Sequence, residues 1–226
     1  MIELKKLIKS RTVLYLAIIM VIISLSFSLF FLNRIKGEFS LDDKQMIASE
    51  FNFELIYYCM PIFVLFLADF IFNKDMTMGT MKHLIIRSDR RIIYAYKMLA
   101  LFVAAIVLNM LFNLTNSLFI KIFLDYGTAG TFIKAALYES IPIIEMALLF
   151  ALVSILSKKN NIVYLISLHF VCLILTESSL LLGKYIYVYD FKLAISDGKL
   201  NVLSLIRSLV LILASYLIFK NKELTE

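Results

Sequence analysis

Two glutamates in an otherwise apolar run are the residues of this chain best suited to chemistry in apolar surroundings. Glu139 and Glu145 flank Pro142 in the segment 132–156. A carboxylate there is costly, and it commonly carries a proton, binds an ion or pairs with a cation. Six residues apart, the two lie about 240° apart around an ideal helix, unless a kink at Pro142 changes that angle. Either both are protonated or paired, or one lines a polar pathway.

The histidines and cysteines are too few and too dispersed to predict a metal centre. His83 belongs to a basic loop, and His169 is expected to hydrogen-bond to a neighbouring helix. Cys59 and Cys172 read as small hydrophobes within apolar runs. The chain contains no G-x-x-x-x-G-K-[ST], G-x-S-x-G or H-E-x-x-H motif. We therefore expect no catalytic residue, metal or cofactor in this chain, and ATP-driven work would need another polypeptide.

The composition is that of an integral membrane protein. Of 226 residues, 62% are hydrophobic and only 18% charged, and mean hydropathy is +0.89. A soluble enzyme, a nucleic-acid-binding domain or a disordered chain would need far more polar surface. The net charge of +6 is then better explained by basic inner loops than by a nucleic-acid partner.

Six apolar segments are long enough to cross a bilayer, which takes roughly 20 residues. They are residues 13–32, 53–72, 98–120, 132–156, 162–182 and 203–219. Arg207 lies one turn inside the sixth segment, from where its side chain can reach the interface. The predicted fold is therefore an all-α integral membrane protein, with residues 1–226 forming one membrane domain with short loops.

The distribution of basic residues predicts that both termini are cytoplasmic. With that orientation, 14 of the 23 Lys and Arg residues lie inside and eight outside, with Arg207 set aside. The expected location is the cell membrane. Glu54 and Glu177 then lie near the outer face and Asp69 near the inner face. The sequence suggests Lys121, Lys134 and Arg207 as candidate partners for the two central glutamates, but cannot pair them.

Two segments outside the spans have patterns of their own. Residues 1–12 form a basic amphipathic helix suited to the inner membrane surface, or merely a basic tail. The outer segment 183–202, between the fifth and sixth spans, fits a short re-entrant or interfacial helix. The simplest interpretation of its alternating Tyr185, Tyr187 and Tyr189 is an aromatic belt at the membrane interface.

The longest cytoplasmic loop, residues 73–97, is predicted to contain a short helix. Met78, Met81 and Ile85 fall at helical spacing with Leu84 beside them, and Thr77 could cap the helix. Methionine-rich apolar stripes suit adaptable binding surfaces. The loop could therefore dock a soluble partner, and an equally simple interpretation is a segment that skims the membrane.

This loop also carries a family resemblance. The run Gly79-Thr80-Met81-Lys82-His83-Leu84-Ile85, followed by Arg90/Arg91 and Lys97, resembles ABC-2 type permeases, the six-span subunits of ATP-binding-cassette exporters. Asp75 stands for the acidic residue of the family pattern. The usual proline is absent, and Arg87 or Ser88 occupies its place.

The resemblance implies a coupling helix around residues 78–86, seated on a separate cytoplasmic ATPase that binds ATP and Mg²⁺. The implied ATPase contacts are Asp75, Met78, Gly79, Thr80, Met81, Lys82, Leu84, Ile85, Arg90, Arg91, Lys158 and Lys159. Two permease chains, identical or paralogous, would pair with two ATPase chains. Substrate would pass between the permeases, along a path lined partly by spans two and five.

The cargo implied by the resemblance is an amphipathic peptide or drug. Small permeases of this composition look like those of Gram-positive bacteria that export or confer immunity to peptides, a group that includes exporters of phenol-soluble modulins. Possible functional residues within the membrane are Glu139, Pro142, Glu145 and Glu177.

Three other functions compete with this one. An ion-coupled secondary transporter would use Glu139 and Glu145, although the sequence shows no convincing internal repeat. A membrane-embedded enzyme lacks a paired catalytic constellation. The third alternative is a structural or immunity protein that sequesters its ligand, and it would protect the cell from that ligand without ATP.

Overall fold

The described part of the chain is built from α-helices. The computed structural model describes residues 9–34, 40–77, 89–125, 129–156, 161–177, 186–197 and 201–221. Within these ranges the helices are α1 (Arg11–Arg34), α2 (Leu41–Thr77), α3 (Arg90–Leu124), α4 (Ala129–Leu156), α5 (Asn161–Glu177), α6 (Tyr187–Asp197) and α7 (Val202–Asn221). The predicted all-α architecture is confirmed.

Four helices are long and apolar enough to cross a membrane. The qualifying stretches are Ile56–Lys74, Arg90–Ile122, Ala136–Leu156 and Val202–Asn221. Shorter apolar stretches, Arg11–Ser26 and Tyr164–Thr176, belong to α1 and α5. A helix thus covers the described part of every predicted span, whereas the count of six crossings stays a prediction.

Two helices begin well before the apolar segments they contain, because polar residues cap them. Ser40 and Asp43 bond reciprocally at the start of α2: the Asp43 N–H donates to Ser40 Oγ and the Ser40 N–H to Asp43 Oδ2, each at 3.2 Å. The α2 helix therefore includes residues 41–52 of the predicted outer polar stretch. Asp89 caps α3 by accepting from the Arg91 N–H at 2.9 Å. At the other end of α3, Asp125 takes a left-handed conformation with φ 49°.

The fourth helix is the centre of the bundle. α4 packs against α2, α3, α5, α6 and α7. The principal neighbours of α1 in the described part of the chain are α2 and α3. The α4 core residues Ile143, Met146, Ala147, Leu148, Phe150, Ala151 and Ile155 are fully buried. The two glutamates of α4 are therefore surrounded by other helices of the bundle.

The outer faces of the bundle are apolar, while buried faces carry polar residues. On α7 the buried residues are Ser204, Ser208, Ser215 and Phe219, and most exposed ones are Val, Leu or Ile. This pattern is the reverse of a soluble helix, and is typical of helices that expose apolar side chains to lipid and pair polar ones internally.

Candidate functional site: buried polar clusters of the bundle

Among the described residues, a cluster of three charged side chains is centred on Arg207. Its Nε donates to Glu145 Oε1 of α4 at 2.5 Å, and its Nη2 donates to Glu145 Oε2 at 3.3 Å. The same Nη2 also bonds to Asp190 Oδ2 of α6. The side chains of Glu145 and Asp190 are only 3% and 2% exposed. Arg207 therefore faces the bundle interior, where two buried carboxylates share one guanidinium.

Two hydrogen bonds complete this cluster. The Ser204 hydroxyl donates to Glu145 Oε2, and Asn201 Nδ2 donates to Asp190 Oδ1 at 2.7 Å. These bonds matter because two carboxylates cannot both be neutralised by one arginine. The cluster thus joins Glu145 of α4 and Asp190 of α6 to Ser204 and Arg207 of α7 and to Asn201, which directly precedes α7.

A second cluster lies between α3 and α4 and involves Glu139. Asn113 Nδ2 donates to Glu139 Oε2 at 2.8 Å and lies 3.1 Å from Asn109 Oδ1. Asn109 Nδ2 donates to the Ala136 carbonyl at 2.9 Å. Glu139 is fully buried, and among the described residues its Oε1 has no hydrogen-bond partner and neither oxygen has an ion-pair partner. This carboxyl is held by amides alone.

The two glutamates of α4 therefore have separate environments, as their spacing predicts. Glu139 faces the asparagines of α3, whereas Glu145 faces α6 and α7. The helix runs unbroken past Pro142, which is buried between them. Of the three candidate cations, Arg207 is the partner of Glu145, and Lys121 and Lys134 are exposed.

A third contact attaches α6 to α5. His169 Nδ1 and the Tyr187 hydroxyl are hydrogen-bonded at 2.8 Å, and their rings stack with centroids 6.3 Å apart. Burial raises the pKa of the Tyr187 phenol well above its usual value, so the hydroxyl stays protonated. The predicted bond from His169 to a neighbouring helix is confirmed. The aromatic-belt interpretation is wrong for Tyr187, which is only 4% exposed because it packs inside the bundle.

The bundle end next to residues 78–88 is held by contacts among α2, α3 and α7. Lys97 is fully buried and donates to the Ile71 carbonyl of α2 at 2.6 Å. Arg90 Nη1 donates to the Lys220 carbonyl of α7 at 2.7 Å. The Tyr94 hydroxyl lies 2.6 Å from Ser215 Oγ, which adds a second α3–α7 contact.

Most residues implied to contact an ATPase lie outside the described part of the chain. These are Met78, Gly79, Thr80, Met81, Lys82, Leu84, Ile85, Lys158 and Lys159. Asp75 lies in the last turn of α2, and Glu177 is the last residue of α5. Arg91 is exposed at the start of α3. Residues 1–8 of the predicted amphipathic helix also lie outside the description.

Sequence reasoning missed several members of these clusters. Asn109, Asn113 and Asn116 recur at helical spacing in an apolar run, and all three are buried. That spacing was a readable signal. Asp190 gave none, because it belongs to the outer polar segment 183–202, whose pattern was interpreted from its tyrosines alone. Within the described ranges, no group of three or more His, Cys, Asp or Glu residues could hold a metal ion.

Comparison of the chain with protein-family models, with curated proteins and with solved structures finds no match in any of the three. The fold and the polar clusters therefore define the class only as an all-helical protein with long apolar helices suited to a membrane.

Proposed function

We propose that this chain is the permease subunit of an ATP-binding-cassette exporter of the ABC-2 type. The observation that carries the proposal is the run from Gly79 to Ile85, which stands in the sequence between two long apolar helices, followed by Arg90, Arg91 and Lys97 in the first turns of the second helix. A separate cytoplasmic ATPase supplies ATP and Mg²⁺ binding. The chain resides in the cell membrane, with six spans and both termini inside.

Contacts beside the loop support a coupling role. Lys97 connects α3 to α2, the two helices that flank residues 78–88. Arg90 connects the start of α3 to the end of α7. A displacement of the loop by the ATPase would therefore move three helices as a unit, and a packed bundle transmits such a shift because it is not continuously deformable.

The proposed cargo is an amphipathic peptide or drug that passes between two permease chains, identical or paralogous. The exposed apolar faces of α1 and α7 support an exchange of such molecules with the membrane. Their exposed side chains include Leu14, Ile18, Ile22, Leu209 and Leu213. Export or self-immunity by a Gram-positive bacterium is the setting that this proposal favours.

The test replaces two apolar residues of the proposed coupling helix by acids. Met81→Glu with Ile85→Glu should abolish co-purification of the cassette ATPase in mild detergent while the permease still inserts, because an apolar groove rejects two carboxylates. Met46→Glu, an exposed methionine on the predicted outer side, is the control and should retain the ATPase. Unchanged association of the double variant would reject the coupling assignment.

One observation favours a second candidate, an ion-coupled secondary transporter. Glu139 is fully buried with one oxygen lacking a partner among the described residues, whereas Glu145 is paired with Arg207. Glu139 would then carry the coupling ion. Transport in proteoliposomes driven by an ion gradient without ATPase, and lost in Glu139→Gln, would support it. ATP-dependent transport that survives Glu139→Gln would reject it.

A further inference from the structure

An apolar groove lies between α1 and α2 on the outside of the bundle. Its volume is about 350 Å³. It is lined by Thr12, Tyr15, Leu16, Ile19, Ile23, Cys59, Ile62, Phe63 and Phe66. Three of these residues carry a polar group: Thr12 a hydroxyl, Tyr15 a phenol and Cys59 a thiol. The others are Leu, Ile or Phe. From Thr12 to Ile23 the groove follows α1 for about 16 Å, at 1.5 Å per residue.

One end of this groove is basic. Thr12 follows Arg11 directly, and both Arg11 and Lys9 are exposed. Arg11 is the first residue of α1 and Lys9 precedes it by two positions, and the unsatisfied backbone N–H groups at this helix start give a partial positive charge. Ser10 Oγ accepts from the Thr12 N–H at 3.2 Å, so only one of those groups is capped by this contact. Two exposed cations therefore stand next to the Thr12 end of the apolar groove.

We propose that this groove binds one acyl chain of an anionic phospholipid, with the phosphate at Lys9 and Arg11. Charge complementarity identifies the occupant: an anionic phospholipid brings a net negative charge to the two cations, whereas a zwitterionic lipid also brings a cation of its own. The elongated apolar lining fits a hydrocarbon chain, which needs no polar partner along its length. The site goes beyond the proposed transport function and requires only that the protein lies in a membrane.

The half-buried Cys59 is a built-in reporter for the groove. The chain has only two cysteines, and Cys172 is buried in α5, so Cys172→Ala leaves a single groove thiol. We expect slower maleimide alkylation of Cys59 in nanodiscs containing phosphatidylglycerol than in pure phosphatidylcholine. The full chain carrying Lys9→Gln and Arg11→Gln should lose this protection and weaken phosphatidylglycerol binding by roughly tenfold or more.

Two control variants distinguish a site from a general charge effect. Arg91→Gln removes an exposed arginine at the start of α3, on neither of the helices that line the groove, and should keep the protection. Ile62→Trp fills the groove and should release the lipid retained in native mass spectra, whereas Leu213→Trp on the exposed face of α7 should not.

Equal protection by phosphatidylcholine, or protection unchanged in the Lys9/Arg11 variant, would overturn the proposal. Equal protection by phosphatidylcholine would mean that the groove binds any acyl chain. Unchanged protection in the variant would mean that another occupant covers Cys59, such as the residues preceding Lys9. Because neither readout uses the ATPase or transport, failure of this proposal is distinct from failure of the proposed function.

Discussion

Arg207 is costly in the apolar segment where the sequence places it, but in the bundle it pairs with two buried carboxylates. In the sequence it interrupts an apolar run, where a charged side chain costs roughly 2.5–3.5 kcal/mol at the bilayer centre. In the bundle it meets Glu145 and Asp190, which would otherwise be two buried charges without a cation. The one guanidinium offsets part of the desolvation cost of both carboxylates, and the hydrogen bonds from Ser204 and Asn201 stabilise them further.

Removing Arg207 alone should therefore be strongly destabilising. Arg207→Gln leaves two carboxylates at most 3% exposed, so we expect the free energy of unfolding in detergent to fall by about 3–5 kcal/mol. Lys134→Gln removes an exposed cation near the start of α4. It should change the free energy of unfolding by less than about 0.5 kcal/mol. Equal effects of the two substitutions would contradict the buried-cluster assignment.

At the scale of elements, α7 depends on small residues for its approach to α3 and α4. Ser204, Ser208 and Ser215 form its buried side together with Phe219. In a membrane, helices gain little from burying apolar area against each other, and close packing of small residues takes over that role. Ser204, which bonds to Glu145, thus lets α7 lie near α4, and Ser215, which bonds to Tyr94, lets it lie near α3.

A larger side chain in this serine stripe should push the helix outward. Ser208→Leu adds volume at a position only 9% exposed, and we expect a loss of about 1–3 kcal/mol in the free energy of unfolding. Val210→Leu lies two residues away with 60% exposure and should be nearly neutral. A Ser208→Leu protein as stable as the wild type would show that α7 does not pack closely there.

For the whole molecule, the number of crossings is the feature on which the functional proposal depends. Helices occupy the described part of all six predicted segments, and four have stretches that meet the length and hydropathy of a span. Lys44 and Lys82 fall on opposite sides of the membrane if α2 crosses it once between them.

Cysteine accessibility in whole cells tests this topology. In a cysteine-free background, Lys44→Cys should react with a membrane-impermeant maleimide in intact cells, because the polar start of α2 is predicted to be external. Lys82→Cys should react only after the membrane is permeabilised. Labelling of Lys82→Cys in intact cells would reverse the orientation and remove the loop from reach of any cytoplasmic ATPase.

Much of the fold was predictable because apolar runs and caps act locally. Hydropathy placed a helix in each apolar segment, and the six-residue spacing separated Glu139 from Glu145. The starts of α2 and α3 were missed because the caps at Ser40 and Asp89 extend both helices into polar sequence. The Gly79–Ile85 run lies outside the described residues, so its role stays a proposal.

The sequence by itself determined that this chain is helical and apolar on its outside, because transfer of each side chain from water depends on local composition. Only the tertiary structure decided that Arg207 bonds to Glu145 and Asp190, that Glu139 is left to amides, and that Tyr187 lies inside. Those contacts join residues up to 62 positions apart. They depend on which helix faces meet, and no periodicity along one helix specifies its neighbour.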